Sequence, residues 1–318
     1  MVPGLWLELE VVGINSTLVK KVPAEWFFQR HGKPVLDRSR YQLDYRNPDV
    51  RAYATGVVDR LVKEYNVGYI KMDYNIEPGM GTDYKADSPG DGLLGHERAY
   101  LSWLDAVFEK YPDLVIENCS SGGMRMDYAM LSRYSIQSTS DQMDYRNYSI
   151  IAANAPAALT PEQAAVWSYP LSDGDEEETA FNMVNAMLLR IHQSGHLARL
   201  SEKRFALVQE GLACYKKIRK NTADGLPFWP LGLAHYSDQW LSLGIQNGST
   251  LIVAVWRKNS TSPYCNLPVR CAKGKTARVT CIYPQQLPAT CSWNKQTGIL
   301  SVQLPACMTA RLFELDIV

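Results

Sequence analysis

The sequence lacks most of the features that assign a protein at a glance. No apolar run reaches the roughly 18 residues that a membrane-spanning helix needs, so an integral helical membrane protein is excluded. The first ten residues, Met1-Val2-Pro3-Gly4-Leu5-Trp6-Leu7-Glu8-Leu9-Glu10, hold no basic region, long apolar core or small-residue cleavage site. They read as a strand rather than an export signal, and the expected compartment is cytoplasmic. Neither sign of charge is in excess: the formal net charge over 318 residues is zero, without the basic face that nucleic acid demands. Seven cysteines occur, but in no CxxC pair and no metal-ligand spacing. Cys265, Cys271, Cys281, Cys291 and Cys307 crowd the C-terminal part, which leaves disulfides open for a secreted chain. Reduced, partly buried thiols are the expectation without an export signal. For the same reason sequons such as Asn15-Ser16-Thr17 and Asn259-Ser260-Thr261 carry little weight. Internal repeats and low-complexity segments are also missing.

What is present is an ordinary globular composition, 46% hydrophobic and 21% charged, at a length that suits more than one domain. Two textures divide it. Up to about residue 222, extended apolar segments alternate with helical periods. Strands are expected at 5–12, 41–45, 67–73, 114–117, 135–140 and 166–170. Asn47-Pro48-Asp49 opens a helix with Asn as cap and Pro in the first turn. Its apolar positions Val50, Ala54, Val57, Val58, Leu61 and Tyr65 recur at helical spacing. A Gly-, Pro- and Asp-rich loop over 76–92, long enough for a binding loop or lid, precedes a helix over 94–110. Thr160-Pro161-Glu162-Gln163 is a capping box. Asp175-Glu176-Glu177-Glu178 suits the first turn of a helix that stops near Gly195, and Ser201 caps another running to Arg219. Strand–helix alternation indicates a parallel α/β sheet, with six or seven strands in place of the eight of a closed barrel. From about Asp224 helical periods vanish and β-rich runs appear at 240–245, 250–256, 277–283, 299–304 and 309–317. Asn247-Gly248 marks a tight hairpin, and Pro227-Phe228-Trp229-Pro230 is the expected junction. The expected domains are therefore 1–222 and 223–318.

One stretch stands out for chemistry. In Tyr69-Ile70-Lys71-Met72-Asp73-Tyr74-Asn75, polar groups follow a buried run at every second position. Alternate residues of a strand point the same way, so Lys71, Asp73 and Asn75 converge on a functional site or form a salt-bridged strand end. A second aspartate, Asp141, ends another strand. Paired carboxylates at strand ends are the machinery of glycoside hydrolysis; either one alone also serves as a helix cap. Lys71 beside Asp73 would hold it ionised as a nucleophile, whereas Asp141, flanked by Ser140 and Gln142, could carry a proton.

Tyr69–Asn75 resembles the YIKWDxN nucleophile motif of glycoside hydrolase family 36, the α-galactosidase or melibiase family. Leu5-Trp6-Leu7-Glu8-Leu9-Glu10 resembles its LWFEPE segment, and Arg38–Asp44 followed by Pro48 its RNQLVLD segment and proline. Glu117-Asn118-Cys119-Ser120-Ser121-Gly122-Gly123 resembles ESCSSGG, and Thr139-Ser140-Asp141-Gln142 resembles TSDN. The motifs keep the family's order and span about residues 4–220. The resemblance implies a (β/α)8 TIM-type barrel followed by a C-terminal antiparallel β domain, and a retaining α-galactosidase acting on α-galactoside oligosaccharides without metal or organic cofactor. Asp73 would be the nucleophile and Asp141 the acid/base. Lys71, Asn75 and Arg38 would bind sugar hydroxyls, with Arg40 in place of Arg38 if the alignment shifts. Trp26 would line the sugar site, and Cys119 and Gly122 would lie near the sugar's 2-position. His96 and His192 are expected to be ordinary helix residues. Met72 and Gln142 depart from the family's Trp and Asn, so the surroundings of both carboxylates differ. The family's WDD segment and its large N-terminal sandwich are not in the sequence. The chain is thus expected to be N-terminally truncated, starting at the second barrel strand, and its open edge makes a homo-oligomer plausible. The remaining alternatives are an α-N-acetylgalactosaminidase, a raffinose-synthase-like galactosyltransferase and an inactive remnant.

Overall fold

A computed structural model describes residues 1–318, which divide into two compact units, 1–138 and 139–318. In the first unit the strands Gly4–Leu7, Tyr69–Met72, Val115–Asn118 and Ile136–Ser138 lie side by side and parallel. Alternation in the Tyr69–Met72 strand is strict. Ile70 and Met72 are buried, in one apolar cluster with Val50, Ala54, Val58 and Leu61 of the helix Pro48–Tyr65 and Tyr100, Trp103 and Leu104 of the helix Pro89–Lys110. Lys71 faces the other way, in lateral register with Trp6 on one neighbour and Glu117 on the other. One side of the sheet is thus apolar and helix-covered, and the other carries the polar groups.

The expected strand over 5–12 is broken. Gly4–Leu7 stays parallel, whereas Val11–Gly13 turns away to pair antiparallel with Arg40–Gln42. Of the strand expected at 41–45, only Tyr41 and Gln42 belong to this small side sheet. The first helix starts as read: the Asn47 side chain accepts from Asp49 N–H and Pro48 follows, but Tyr65 is exposed. The second helix begins earlier than expected, at Pro89, because the Ser88 hydroxyl accepts from Asp91 N–H and supplies the cap.

In the second unit, Ala164–Ser168 and Arg190–Gln193 pair in parallel. Two expectations fail here. Thr160–Gln163 makes only a turn into the strand Ala164–Ser168, with no helix at that point; the buried pairing with the neighbouring strand overrides a local cap signal. The helix opened by Asp175 ends at Met187, and Ile191 lies on the strand Arg190–Gln193. That helix is buried at every residue from Glu178 to Met187. Asp175 accepts from Glu178 N–H and Ser201 from Arg204 N–H, so both expected caps are in place.

The C-terminal texture is antiparallel. Leu226–Phe228, Trp240–Asn247, Thr250–Arg257, Thr309–Ile317 and Ala277–Tyr283 form one sheet in that order. Tyr264–Pro268, Ile299–Gln303 and Thr290–Asn294 form a second. Pro227 and Phe228, expected as a junction, are the edge of the first sheet. The hairpin forms as read, with Asn247 paired to Thr250 and Gly248 at φ +57°. Within Thr250–Arg257, residues 251–256 are an unbroken apolar run because both faces are covered. Leu251, Val253 and Val255 join a core with Leu300 and Val302 of the second sheet, and on the opposite face Trp256 donates its indole N–H to Asn185 Oδ1 (2.8 Å). All seven cysteines are free thiols, and no helix is long and apolar enough to cross a membrane.

One glycine tests the packing of the first unit. Gly92 lies inside the helix Pro89–Lys110, where alanine is ordinarily better by about 1 kcal/mol. A Cβ there would stand 2.0 Å from the Thr82 carbonyl oxygen. Gly92→Ala is therefore expected to lower stability in a urea titration, reversing the sign of helix propensity.

Candidate active site

Asp73 is the first residue past the strand Tyr69–Met72, and its N–H donates to the Leu7 carbonyl (2.8 Å), so the ladder reaches it. Its carboxylate gathers donors from three strand ends. Trp6 Nε1 donates to Oδ2 (3.0 Å) and the Tyr74 N–H to Oδ1 (2.9 Å). Burial is the largest single influence on its titration and pushes it up, but hydrogen bonds from Asn75, Trp6, the Tyr74 N–H and Cys119 outweigh it and hold the carboxyl below its usual value. Neutral donors thus carry the role that the sequence suggested for the Lys71 ammonium. A lowered folded-state value means stability that is complete above the ordinary carboxylate range and is lost as pH falls through the lowered one.

Lys71 pairs with Glu117 at 3.5 Å, and Glu117 also accepts a hydrogen bond from the Tyr69 hydroxyl. Glu117 is buried, so the ammonium is fixed against an anion at the end of the neighbouring strand. Asn75 donates to Glu8 Oε1 (2.7 Å) and accepts from the Ser121 N–H (3.0 Å) and hydroxyl (2.9 Å). Cys119 follows the strand Val115–Asn118, with its N–H on the Met72 carbonyl (2.9 Å). Burial pushes its thiol up to about 11, so it is a neutral donor at physiological pH. Gly122 adopts φ +82° and its carbonyl accepts from the Ser120 N–H (3.0 Å), closing a tight turn that carries Ser121 to Asn75.

The arginines divide. Arg38 and Ser39, at φ +44° and +63°, form the two-residue tip of a hairpin in which Asp37 pairs with Arg40. The Arg38 side chain is 54% exposed and reaches Glu77 (3.2 Å). Arg40 instead donates to Glu8 Oε2 (3.1 Å), joining the group around Asn75. Trp26 sits in the short turn Ala24–Trp26 with its ring 5.7 Å from Tyr53 of the first helix. Its ring contact lies with that helix, and the tryptophan that touches Asp73 is Trp6. His96 is structural, as expected: Nδ1 accepts from the Tyr45 N–H (3.1 Å) and Nε2 faces buried Glu10 at 3.8 Å. Glu10 is ion-paired with Arg125 (2.7 Å), whose guanidinium lies 4.4 Å over the Tyr74 ring and so packs beneath the Asp73 segment. His192 lies on the strand Arg190–Gln193, not on a helix, with its ring 5.1 Å from that of Trp167.

Asp141 belongs to the second unit. It is exposed, on a turn in which the Gln142 N–H donates to Ser140 Oγ (3.1 Å) and the Asp144 N–H to Gln142 Oε1 (3.0 Å). The structure thus gathers Asp73, Asn75, Cys119 and the Gly122 turn, with Lys71 held by Glu117 at the adjoining strand end. It adds Trp6, Glu8 and Ser121. The alternation of Trp6 and Glu8, one on the strand Gly4–Leu7 and one just past it, was a signal for those two, and Ser121 had none.

A carboxylate seated past the end of a buried parallel strand, with polar groups from neighbouring strand ends closing on it, is the layout of α/β proteins that bind and transform ligands at strand C-termini. The melibiase sequence profile matches residues 1–225. The chain belongs to the melibiase family, the family 36 glycoside hydrolases. It is 24% identical over 270 residues to α-galactosidase Mel36A of Lactobacillus acidophilus, covering 82% of this chain and 36% of that protein. It is 31% identical over 146 residues to the probable α-galactosidase C of Aspergillus terreus, covering 44% of this chain and 18% of that one. The chain therefore spans about a third or less of the length of these relatives. Among solved structures, a variant of the family 36 α-galactosidase AgaA of Geobacillus stearothermophilus in complex with raffinose matches with a TM-score of 0.82 at 18% identity, over 99% of this chain and 44% of that one.

The thiols offer a check on this environment. Alkylation of the native protein at neutral pH should label the exposed Cys271 and Cys307 and spare Cys119, which is buried and raised to about 11. Mass spectrometry of the digested protein reads the outcome; early labelling of Cys119 would contradict it.

Proposed function

We propose that the chain is a retaining α-galactosidase that releases terminal α-linked galactose from oligosaccharides such as raffinose. The observation that carries this reading is the Asp73 carboxylate, set just past a strand end with the Trp6 indole N–H and the Tyr74 N–H donating to it, in a chain of the melibiase family. Asp73 attacks the anomeric carbon while the glycosidic C–O bond breaks and Asp141 gives its proton to the departing oxygen. Asp141 then takes a proton from water, which displaces Asp73 and releases galactose with its configuration retained. Both steps use carboxylates alone, so the reaction needs no cofactor.

Lys71 and Arg38 bind sugar hydroxyls in this reading, and Cys119 and the Gly122 turn line the 2-position. Trp6 takes the aromatic role expected of Trp26, because its indole touches Asp73 and a little over half of it is exposed, at 54%. We further infer that the parallel strands belong to a (β/α)8 barrel and that 223–318 is a β-sandwich domain.

Two substitutions separate the roles. Asp73→Asn should lower turnover of both raffinose and a nitrophenyl α-galactoside by about three orders of magnitude or more. Asp141→Asn should harm raffinose far more, since nitrophenolate departs without protonation. Undiminished turnover in Asp73→Asn defeats the nucleophile, and equal losses on both substrates in Asp141→Asn defeat the acid.

A further inference from the structure

We infer that Tyr74 and Arg125 are positioning residues for Asp73: together they fix the peptide N–H that holds one oxygen of its carboxylate. A catalytic effect rests on Asp73 being the nucleophile; the geometry does not.

Tyr74 is held at every polar group it possesses and across its ring. Its N–H donates to Asp73 Oδ1 (2.9 Å), and its carbonyl accepts from the Ser120 hydroxyl (2.7 Å). Its phenol donates to Gln42 Oε1 (2.7 Å). Gln42 is fully buried, and its amide N–H groups are taken by the carbonyls of Glu10 (3.1 Å) and Leu43 (3.0 Å). Both carbonyls can only accept, so the amide cannot be turned over and its oxygen stays on Tyr74. On the ring face, the Arg125 guanidinium lies 4.4 Å from the centroid, within reach of a cation–π contact.

Arg125 is fixed in turn. Its guanidinium pairs with Glu10 Oε1 (2.7 Å), and its carbonyl accepts from Asn118 Nδ2 (3.0 Å) at the end of the strand Val115–Asn118. Against this pair stand His96, whose Nε2 is 3.8 Å from Glu10, and the Tyr100 ring, 5.4 Å from the guanidinium. Ile70, Met72 and Tyr74 are the buried alternate residues of one run. The first two meet apolar helix side chains, whereas the row ends at Tyr74 on a cation and an amide, one residue past Asp73. A buried ion pair gains little net stability after desolvation. What this one adds is a rigid support under the peptide that joins Asp73 to Tyr74.

The test uses the full chain with labelled aspartate carboxyl carbons, Asp73 being assigned through Asp73→Asn. Nuclear magnetic resonance follows its titration, and the intensity of its native signal counts the folded fraction. Hydrolysis of a nitrophenyl α-galactoside gives kcat/KM, and a separate titration gives galactose Kd. Arg125→Met combined with Glu10→Gln removes both charges together and keeps the bulk of both side chains. In it the Asp73 midpoint should rise by about half a pH unit, as the loosened N–H gives up part of a hydrogen bond to a charge. Its kcat/KM per folded chain should fall about tenfold to a hundredfold, the cost of a misplaced reacting group, with galactose Kd within about twofold. Arg125→Lys, which keeps a cation for Glu10 and the ring, should move both less. Tyr74→Phe loses only the phenol oxygen, should move both in the same direction, and carries the test if the double variant does not fold. An unmoved midpoint, a loss of kcat/KM no greater than the loss of folded protein, or galactose binding weakened about tenfold or more overturns the positioning role. A chain that neither binds galactose nor turns over the galactoside, yet shows the shifted midpoint, keeps the positioning of Asp73 and defeats the α-galactosidase reading alone.

Discussion

The constraint on which the first unit turns is that Asp73 is half-buried and yet held below the usual carboxylate value. Removing a carboxylate from water raises its pKa, and each hydrogen bond to the charged form returns about 1.5–3 kcal/mol. Four donors together outweigh the burial. No single segment could supply them: Trp6 comes from one strand, Tyr74 and Asn75 from the loop after the next, and Cys119 from the end of a third. Parallel register makes this possible, because Trp6, Lys71 and Glu117 fall on one lateral row and the residues that follow them emerge together.

Charge is also spent on holding loops, in both units. Glu10 and Arg125 pair beneath Tyr74. In the second unit buried Glu178 pairs with Arg204 (2.6 Å), and Arg204 donates to the carbonyls of Leu171 (2.7 Å) and Ser172 (3.3 Å). Gly174 is needed there, since a Cβ would stand 2.4 Å from Glu178 Oε2. Such pairs add little net stability once desolvation is counted. They fix particular backbone segments, and here those segments follow parallel strands.

Much of the fold was legible because the signals were local. Asn47, Asp175 and Ser201 cap helices through their own side chains, and Asn247-Gly248 turns a hairpin through its own backbone. The misreadings share a cause. Arg190–Gln193 has no apolar alternation and is a strand because Ala165–Ser168 pairs with it. Thr160–Gln163 carries a cap signal, but the residues after it are drawn into the same pairing. The Gly4–Leu7 strand ends early because Val11–Gly13 finds Arg40–Gln42.

The sequence by itself determined the α/β-then-β order, the placement of Asp73 at a strand end and the family, because periodicity, caps and motif order are properties of the chain. Tertiary structure alone decided what surrounds Asp73. Trp6 rather than Trp26 reaches it, Glu117 holds Lys71, and Asn75 is occupied by Glu8 and Ser121. These partners lie tens of residues apart, and which groups pair depends on where strand ends meet, which no local pattern records.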